Sequence, residues 1–256
     1  PLRLVGSEMC IRDRELAELA GLMEAPMRLE DQDGDHLTLI QQEPLMAVAG
    51  IAARKKDGET VSGDAGTYFK RGDGTLYVLL CDGMGSGPQA NRESSLALRL
   101  LEQFLQAGVE TEHALVTLNS ALALRGEEAG GFTTVDLLQV DLFTGDGVVF
   151  KLGAAPTYVR KGGTVRRISG ASLPAGLAAE ERSAPDRFPI HLSPGDCVLL
   201  VSDGVTGTED DSWLRERLVK FDQGSPKELA RDLITHSPQG ATDDSTALVI
   251  RLEKRE

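Results

Sequence analysis

Leu76-Tyr77-Val78-Leu79-Leu80-Cys81-Asp82-Gly83 and Cys197-Val198-Leu199-Leu200-Val201-Ser202-Asp203-Gly204 are two unbroken apolar runs that end on the same dipeptide. A third run, Ser245-Thr246-Ala247-Leu248-Val249-Ile250, begins directly after Asp243-Asp244. Short continuous apolar runs bounded by turn residues read as strands buried on both faces. A carboxylate at the end of such a strand is costly unless something compensates it. Several gathered there point to a hard divalent cation, since Mg²⁺ and Mn²⁺ prefer carboxylate and carbonyl oxygens.

The segments around these runs define an α+β chain. Strands are predicted at 46–54, 66–71 and 76–81, with turns at Lys55-Lys56-Asp57-Gly58 and Asp73-Gly74. Two helices follow. The first, about 89–107, sets Ala97, Leu100, Leu101, Phe104 and Leu105 on one stripe and stops at Gly108; the second, about 111–124, carries Leu115, Leu118 and Leu122. Strands resume at 133–142, 148–152, 158–160 and 165–168, with a short one at 190–192 before the run to Ser202. A helix near 211–221 precedes another opened by Ser225-Pro226-Lys227-Glu228, a capping box with proline at its first position. Meanders of strands with helices grouped in pairs indicate α+β layers rather than a parallel βαβ sheet.

The first 45 residues read differently. An amphipathic helix is predicted over 13–23, and Asp31, Asp33 and Asp35 read as a solvated turn within a mixed acidic stretch. The chain opens at Pro1, and residues 5–14 resemble translated adapter sequence. Residues 1–45 are therefore expected to be a piece of an upstream regulatory region or linker, and 46–256 the functional domain.

Lys and Arg number 27 against 40 Asp and Glu, a net charge of −13 that excludes a nucleic-acid surface and an anionic membrane as the main partner. Cys10, Cys81 and Cys197 form no CxxC pair, so buried free thiols are expected; His36, His113, His191 and His236 lack metal-ligand spacing. Asp-Gly occurs six times, and the copies at 33, 57, 73 and 146 read as turns.

Cys81-Asp82-Gly83-Met84-Gly85-Ser86-Gly87, Ser202-Asp203-Gly204-Val205 and Thr242-Asp243-Asp244-Ser245-Thr246 together resemble the metal-dependent type 2C serine/threonine protein phosphatases, and within them the subgroup of stage II sporulation protein E. Val61-Ser62-Gly63-Asp64, Phe132-Thr133-Thr134-Val135-Asp136, Lys151-Leu152-Gly153-Ala154-Ala155-Pro156, Leu173-Pro174 and Pro194-Gly195-Asp196 extend the likeness over about residues 46–252. The resemblance implies an αββα sandwich, with helices flanking two layered sheets. It also implies two Mn²⁺ or Mg²⁺ ions at one edge. Asp82 would bridge both ions, the Gly83 carbonyl would reach one, and Asp203 and Asp243 would hold the first. Asp64 would act nearby through water. Asp243 aligns better than Asp244 with the family ligand, but the adjacent pair leaves both as candidates. The two ions would activate water and clamp the phosphoryl oxygens, so no Cys or Ser nucleophile is needed. The glycine after Asp82 would let the backbone approach an ion.

Two departures stand out. Met84 occupies the place where some relatives carry a histidine usable as general acid, which leaves proton donation to water. The arginine that grips phosphate in eukaryotic members has no counterpart, so substrate phosphate would rest on the metals. The implied function is a bacterial cytoplasmic phosphatase domain, in a parent anchored to a membrane upstream. It would act on phosphoserine of a regulatory protein, an anti-sigma-factor antagonist in sporulation control. Self-association through the upstream region or the helices at 89–124 is a further expectation. The alternative is a binding module that keeps the fold without turnover.

Overall fold

The structure, a computed structural model, describes residues 2–5, 18, 20–33, 36–124, 132–177, 184–207, 210–221 and 224–255. It divides into two compact units, Pro1–Pro44 with Arg255–Glu256, and Leu45–Lys254.

In the first unit, strands β1 (Leu2–Val5), β2 (Met27–Asp33) and β3 (His36–Gln41) form an antiparallel sheet in the order β1-β3-β2. Asp31 and Asp33 lie in β2 rather than in a turn, with Asp31 opposite Thr38 after a bulge at Leu29. Pairing around Leu39, which is fully buried, overrides the acidic composition of the stretch. Of the predicted helix at 13–23, residues 18 and 20–22 are helical, and most of the rest lies outside the described residues, as do Cys10 and Asp35.

The second unit holds two five-stranded antiparallel sheets. One comprises β4 (Leu45–Arg54), β9 (Thr157–Lys161), β10 (Thr164–Ile168), β12 (Cys197–Val201) and β13 (Ser245–Lys254), in the order β10-β9-β12-β13-β4. The other comprises β5 (Asp64–Lys70), β6 (Thr75–Gly83), β7 (Thr133–Asp141), β8 (Asp146–Leu152) and β11 (Asp186–His191), in the order β11-β8-β7-β6-β5. Helices α1 (Gly87–Gln106) and α2 (Thr111–Ala123) cover the second sheet. The one-turn α3 (Asp203–Thr206), α4 (Ser212–Lys220) and α5 (Pro226–Thr235) are grouped on the first.

Strand alternation explains the unbroken apolar runs. Leu76, Val78 and Leu80 of β6 meet Val198, Leu200, Leu248 and Ile250 between the sheets. The alternate residues Tyr77, Leu79 and Cys81 face Leu101, Leu105 and Leu118 of α1 and α2. Cys197, Leu199, Val201, Ala247 and Val249 likewise face Leu214, Leu218, Leu229 and Leu233. Each run is apolar at every position because both of its faces are buried. The result is an αββα sandwich.

Sequence and structure differ at two further places in this unit. β11 is longer than the strand predicted at 190–192, because Phe188 and Ile190 alternate onto the core. Its Pro189 is tolerated since β11 is an edge strand. The helical turn at Asp203 was not predicted; it is closed by Gly207 at φ 53°.

Candidate metal centre

The chain brings its acidic strand ends to one edge of the sandwich. Asp64 opens β5 and is the direct cross-strand partner of Asp82 near the end of β6. Asp203 begins α3 two residues after β12, and Asp243-Asp244 immediately precede β13. The ends of β12 and β13 are stitched by the Ser202 amide donating to the Thr246 carbonyl (3.0 Å) and the Thr246 amide donating to Ser202 Oγ (2.8 Å). Thr133 Oγ1 donates to the Asp82 carbonyl at 2.7 Å, fixing β7 beside it. Asp82, Gly83, Asp203 and Asp243 line one cavity of about 310 Å³, together with Lys56 and Met84.

The glycines of the two Asp-Gly pairs are demanded by packing. A Cβ on Gly83 would meet the Ala90 carbonyl oxygen of α1 at 2.1 Å, and one on Gly204 would meet the Asp244 carbonyl oxygen at 1.9 Å. Close approach of protein backbone is therefore a sufficient reason for both glycines.

Burial and mutual repulsion make these carboxylates hard to ionise. Asp82 is pushed up to about 9, first by burial and then by the charges of Asp64, Asp203 and Asp243. Asp64 is raised to about 6 by burial, with the hydroxyls of Thr246 and Ser202 drawing it part of the way back. Asp203 is also raised, by burial and by Asp243. Both carboxylate oxygens of Asp64 are buried without a hydrogen bond of ordinary geometry. Buried carboxylates gathered with so little compensation are hard oxygen donors short of positive charge, which fits Mg²⁺ or Mn²⁺. Among the described residues no three Asp, Glu, His or Cys side chains form a closed ligand cluster, so the donors border the cavity rather than converge on one point.

Asp243 and Asp244 have different surroundings. Asp243 lines the cavity. Asp244, 3% exposed, accepts from the Lys56 amide on Oδ1 (2.9 Å) and from the Gly63 amide on Oδ2 (2.8 Å). Both of its oxygens are thus committed to backbone amides. Lys56 is the cavity residue that the sequence reading left in a turn. The run of three cations at 54–56 could have flagged it, but nothing local distinguishes which of them faces the site.

A profile of stage II sporulation protein E matches residues 72–253. The chain belongs to the stage II sporulation protein E family. It is 30% identical to stage II sporulation protein E of Priestia megaterium over 213 residues, which are 80% of this chain and 36% of that protein. It is 29% identical to the Bacillus subtilis (strain 168) protein over 214 residues, 80% of this chain and 25% of that one. The chain therefore spans roughly a quarter to a third of these relatives.

The PP2C phosphatase domain of Bacillus subtilis SpoIIE, solved with a fragment of its regulatory domain, superposes with a TM-score of 0.80 at 24% identity, over 99% of this chain and 78% of that one. The SpoIIE phosphatase domain alone, in a crystal form without domain swapping, gives 0.62 at 26% identity, over 84% and 96%. RsbX in complex with magnesium gives 0.66 at 18%, over 89% and 100%. The sandwich of this family member is thus the PP2C fold. Among the described residues, no helix is long and apolar enough to cross a membrane.

Proposed function

We propose that residues 46–256 form a metal-dependent serine/threonine protein phosphatase domain. It removes phosphate from a phosphoserine on a regulatory protein, of the anti-sigma-factor-antagonist kind in sporulation control. The observation that carries this reading is the meeting of Asp82, Asp203 and Asp243, from three distant segments, at one cavity, with Asp64 behind Asp82. Asp82, the Gly83 carbonyl, Asp203 and Asp243 would hold two Mn²⁺ or Mg²⁺ ions, with Asp64 acting nearby. When bound, such a pair supplies Lewis acidity toward phosphoryl oxygens and lowers the pKa of water. The chain's own task is to hold these carboxylates aligned on rigid strand ends, and to admit a phosphorylated side chain past the exposed Met84. Asp244 is assigned to holding backbone rather than metal.

Residues 1–45 are read as part of an upstream regulatory region. The superposition over 99% of this chain with a structure that includes a regulatory-domain fragment supports this. The domain is assigned to the cytoplasm, in a longer parent anchored to a membrane.

The test is Mn²⁺-dependent release of phosphate from a phosphoserine protein, with Asp82→Asn as control. Full activity in Asp82→Asn overturns the site assignment. Binding of the phosphoprotein without metal uptake or phosphate release favours the non-hydrolytic module, for which the absence of an acid at Met84 is the motivating feature.

A further inference from the structure

Three cations follow one another at Arg54-Lys55-Lys56, and the structure separates their fates. The Arg54 guanidinium donates to the Gly240 carbonyl, and Lys55 Nζ donates to the Glu59 carbonyl. Lys56, half-buried, instead lines the acidic cavity beside Asp82, Asp203 and Asp243. Among the described residues it is the one lysine or arginine on the lining of that cavity. A dianionic phosphate group approaching several carboxylates needs positive charge at the mouth as well as at the floor.

The backbone at Lys56 is held by a side chain from a distant segment. Asp244 accepts from the amides of Lys56 and Gly63, so one carboxylate clamps both ends of the loop 56–63. The loop is tied on its other flank to α1 and the residue before it. Asn91 Nδ2 donates to the Ser62 carbonyl (2.8 Å), and Ser86 Oγ donates to Glu59 Oε1 (3.1 Å). A lysine ammonium on four rotatable carbons is a weak directional group unless its backbone is fixed.

We propose that Lys56 receives the phosphate group of the substrate, and that Asp244 is the positioning residue that presents it by clamping the loop. This inference rests on the phosphatase reading and adds a contact made by the protein itself. The conversion of Asp244 to Asn would leave one oxygen for two amides and set an NH₂ group against the other amide, releasing one end of the loop.

The test is calorimetric titration of inorganic phosphate into Mg²⁺-saturated protein, alongside titration of Mg²⁺ alone. Lys56→Met is expected to weaken phosphate binding by about tenfold or more, the size of a lost hydrogen bond to a charged group, with Mg²⁺ affinity unchanged. Lys56→Arg is expected to restore most of the binding. Asp244→Asn is expected to weaken phosphate binding in the wild-type background and to add little in the Lys56→Met background, since a residue acting through another is non-additive with it. Phosphate binding unaltered in Lys56→Met, or absent from the unmutated protein, overturns the role of Lys56. Fully additive losses overturn the role of Asp244. Phosphate binding that depends on Lys56, in a protein that releases no phosphate from phosphoserine, would sink the phosphatase reading and leave this contact standing.

Discussion

Lys151 and Asp136 are buried between the sheets at 0% and 1% exposure, deeper than Asp64 at 8%. They face each other across β7 and β8, with Lys151 Nζ 2.8 Å from Asp136 Oδ2 and donating to Thr157 Oγ1 at 2.7 Å. Thr157 Oγ1 in turn donates to the same carboxylate oxygen at 2.5 Å, so a residue of the opposite sheet closes the group. Two residues along β7, Thr134 pairs with Asp82, where the second buried charge group begins. There Asp82, Asp203 and Asp243 line a cavity, with Asp64 paired to Asp82 across the strands and Lys56 as the cation on the lining. The first group is neutralised from within the chain. The second is left with an excess of negative charge, and that difference is what motivates the metal-site proposal.

The largest expected effect breaks the second group. Asp82→Asn should lower phosphatase activity by on the order of 10³-fold, as losing one preorganised electrostatic element does elsewhere, with the fold retained by circular dichroism. Breaking the first group should do the reverse. Lys151→Met should destabilise the domain by about 3–5 kcal/mol because it leaves Asp136 uncompensated, read as a lower urea midpoint. The double variant Lys151→Met/Asp136→Leu should recover much of that loss. A single and a double variant of equal stability would show that the pair contributes nothing distinctive.

Smaller effects sharpen the comparison. Gly204→Ala should cost about 1–3 kcal/mol, the usual range for overpacking, because the added Cβ runs into the Asp244 carbonyl. It should also weaken divalent-ion binding by displacing Asp203. Thermal melts against pH in a chelator provide the smallest and most specific signal. Asp82 sits near 9 and Asp64 near 6 in the folded protein, both above the ordinary carboxylate value. The folded state therefore holds protons that the unfolded chain has shed. This contribution to stability is complete below about pH 4 and is lost as pH rises through about 6 and then about 9. The melting temperature of chelated protein should fall across that window, and saturating Mg²⁺ should flatten the slope. A melting temperature that rises with pH in chelator would contradict the charge excess.

The two Asp-Gly strand ends were legible because full burial on both faces leaves an uninterrupted apolar run with an abrupt acidic stop. The helices were legible from their stripes: Ala97, Leu101 and Leu105 are fully buried, with Leu100 and Phe104 packed against the same cluster. The hairpin β2–β3 is local, pairing Asp33 with His36, and was hidden by its acidic composition. The distinction between Asp243 and Asp244 was illegible for a different reason. The amides that occupy Asp244 come from residues more than 180 positions away. Lys56 was missed because a lysine in a turn is ordinary until the fold sets it against carboxylates from three other segments.

Anomalous scattering from crystals soaked in Mn²⁺ tests most directly whether these strand ends bind divalent cations. Two Mn²⁺ peaks are expected in the cavity, contacted by Asp82, Gly83, Asp203 and Asp243, with Asp244 still on the amides of Lys56 and Gly63. A cavity free of Mn²⁺ at saturating concentration, or peaks elsewhere on the surface, would contradict the metal-site assignment.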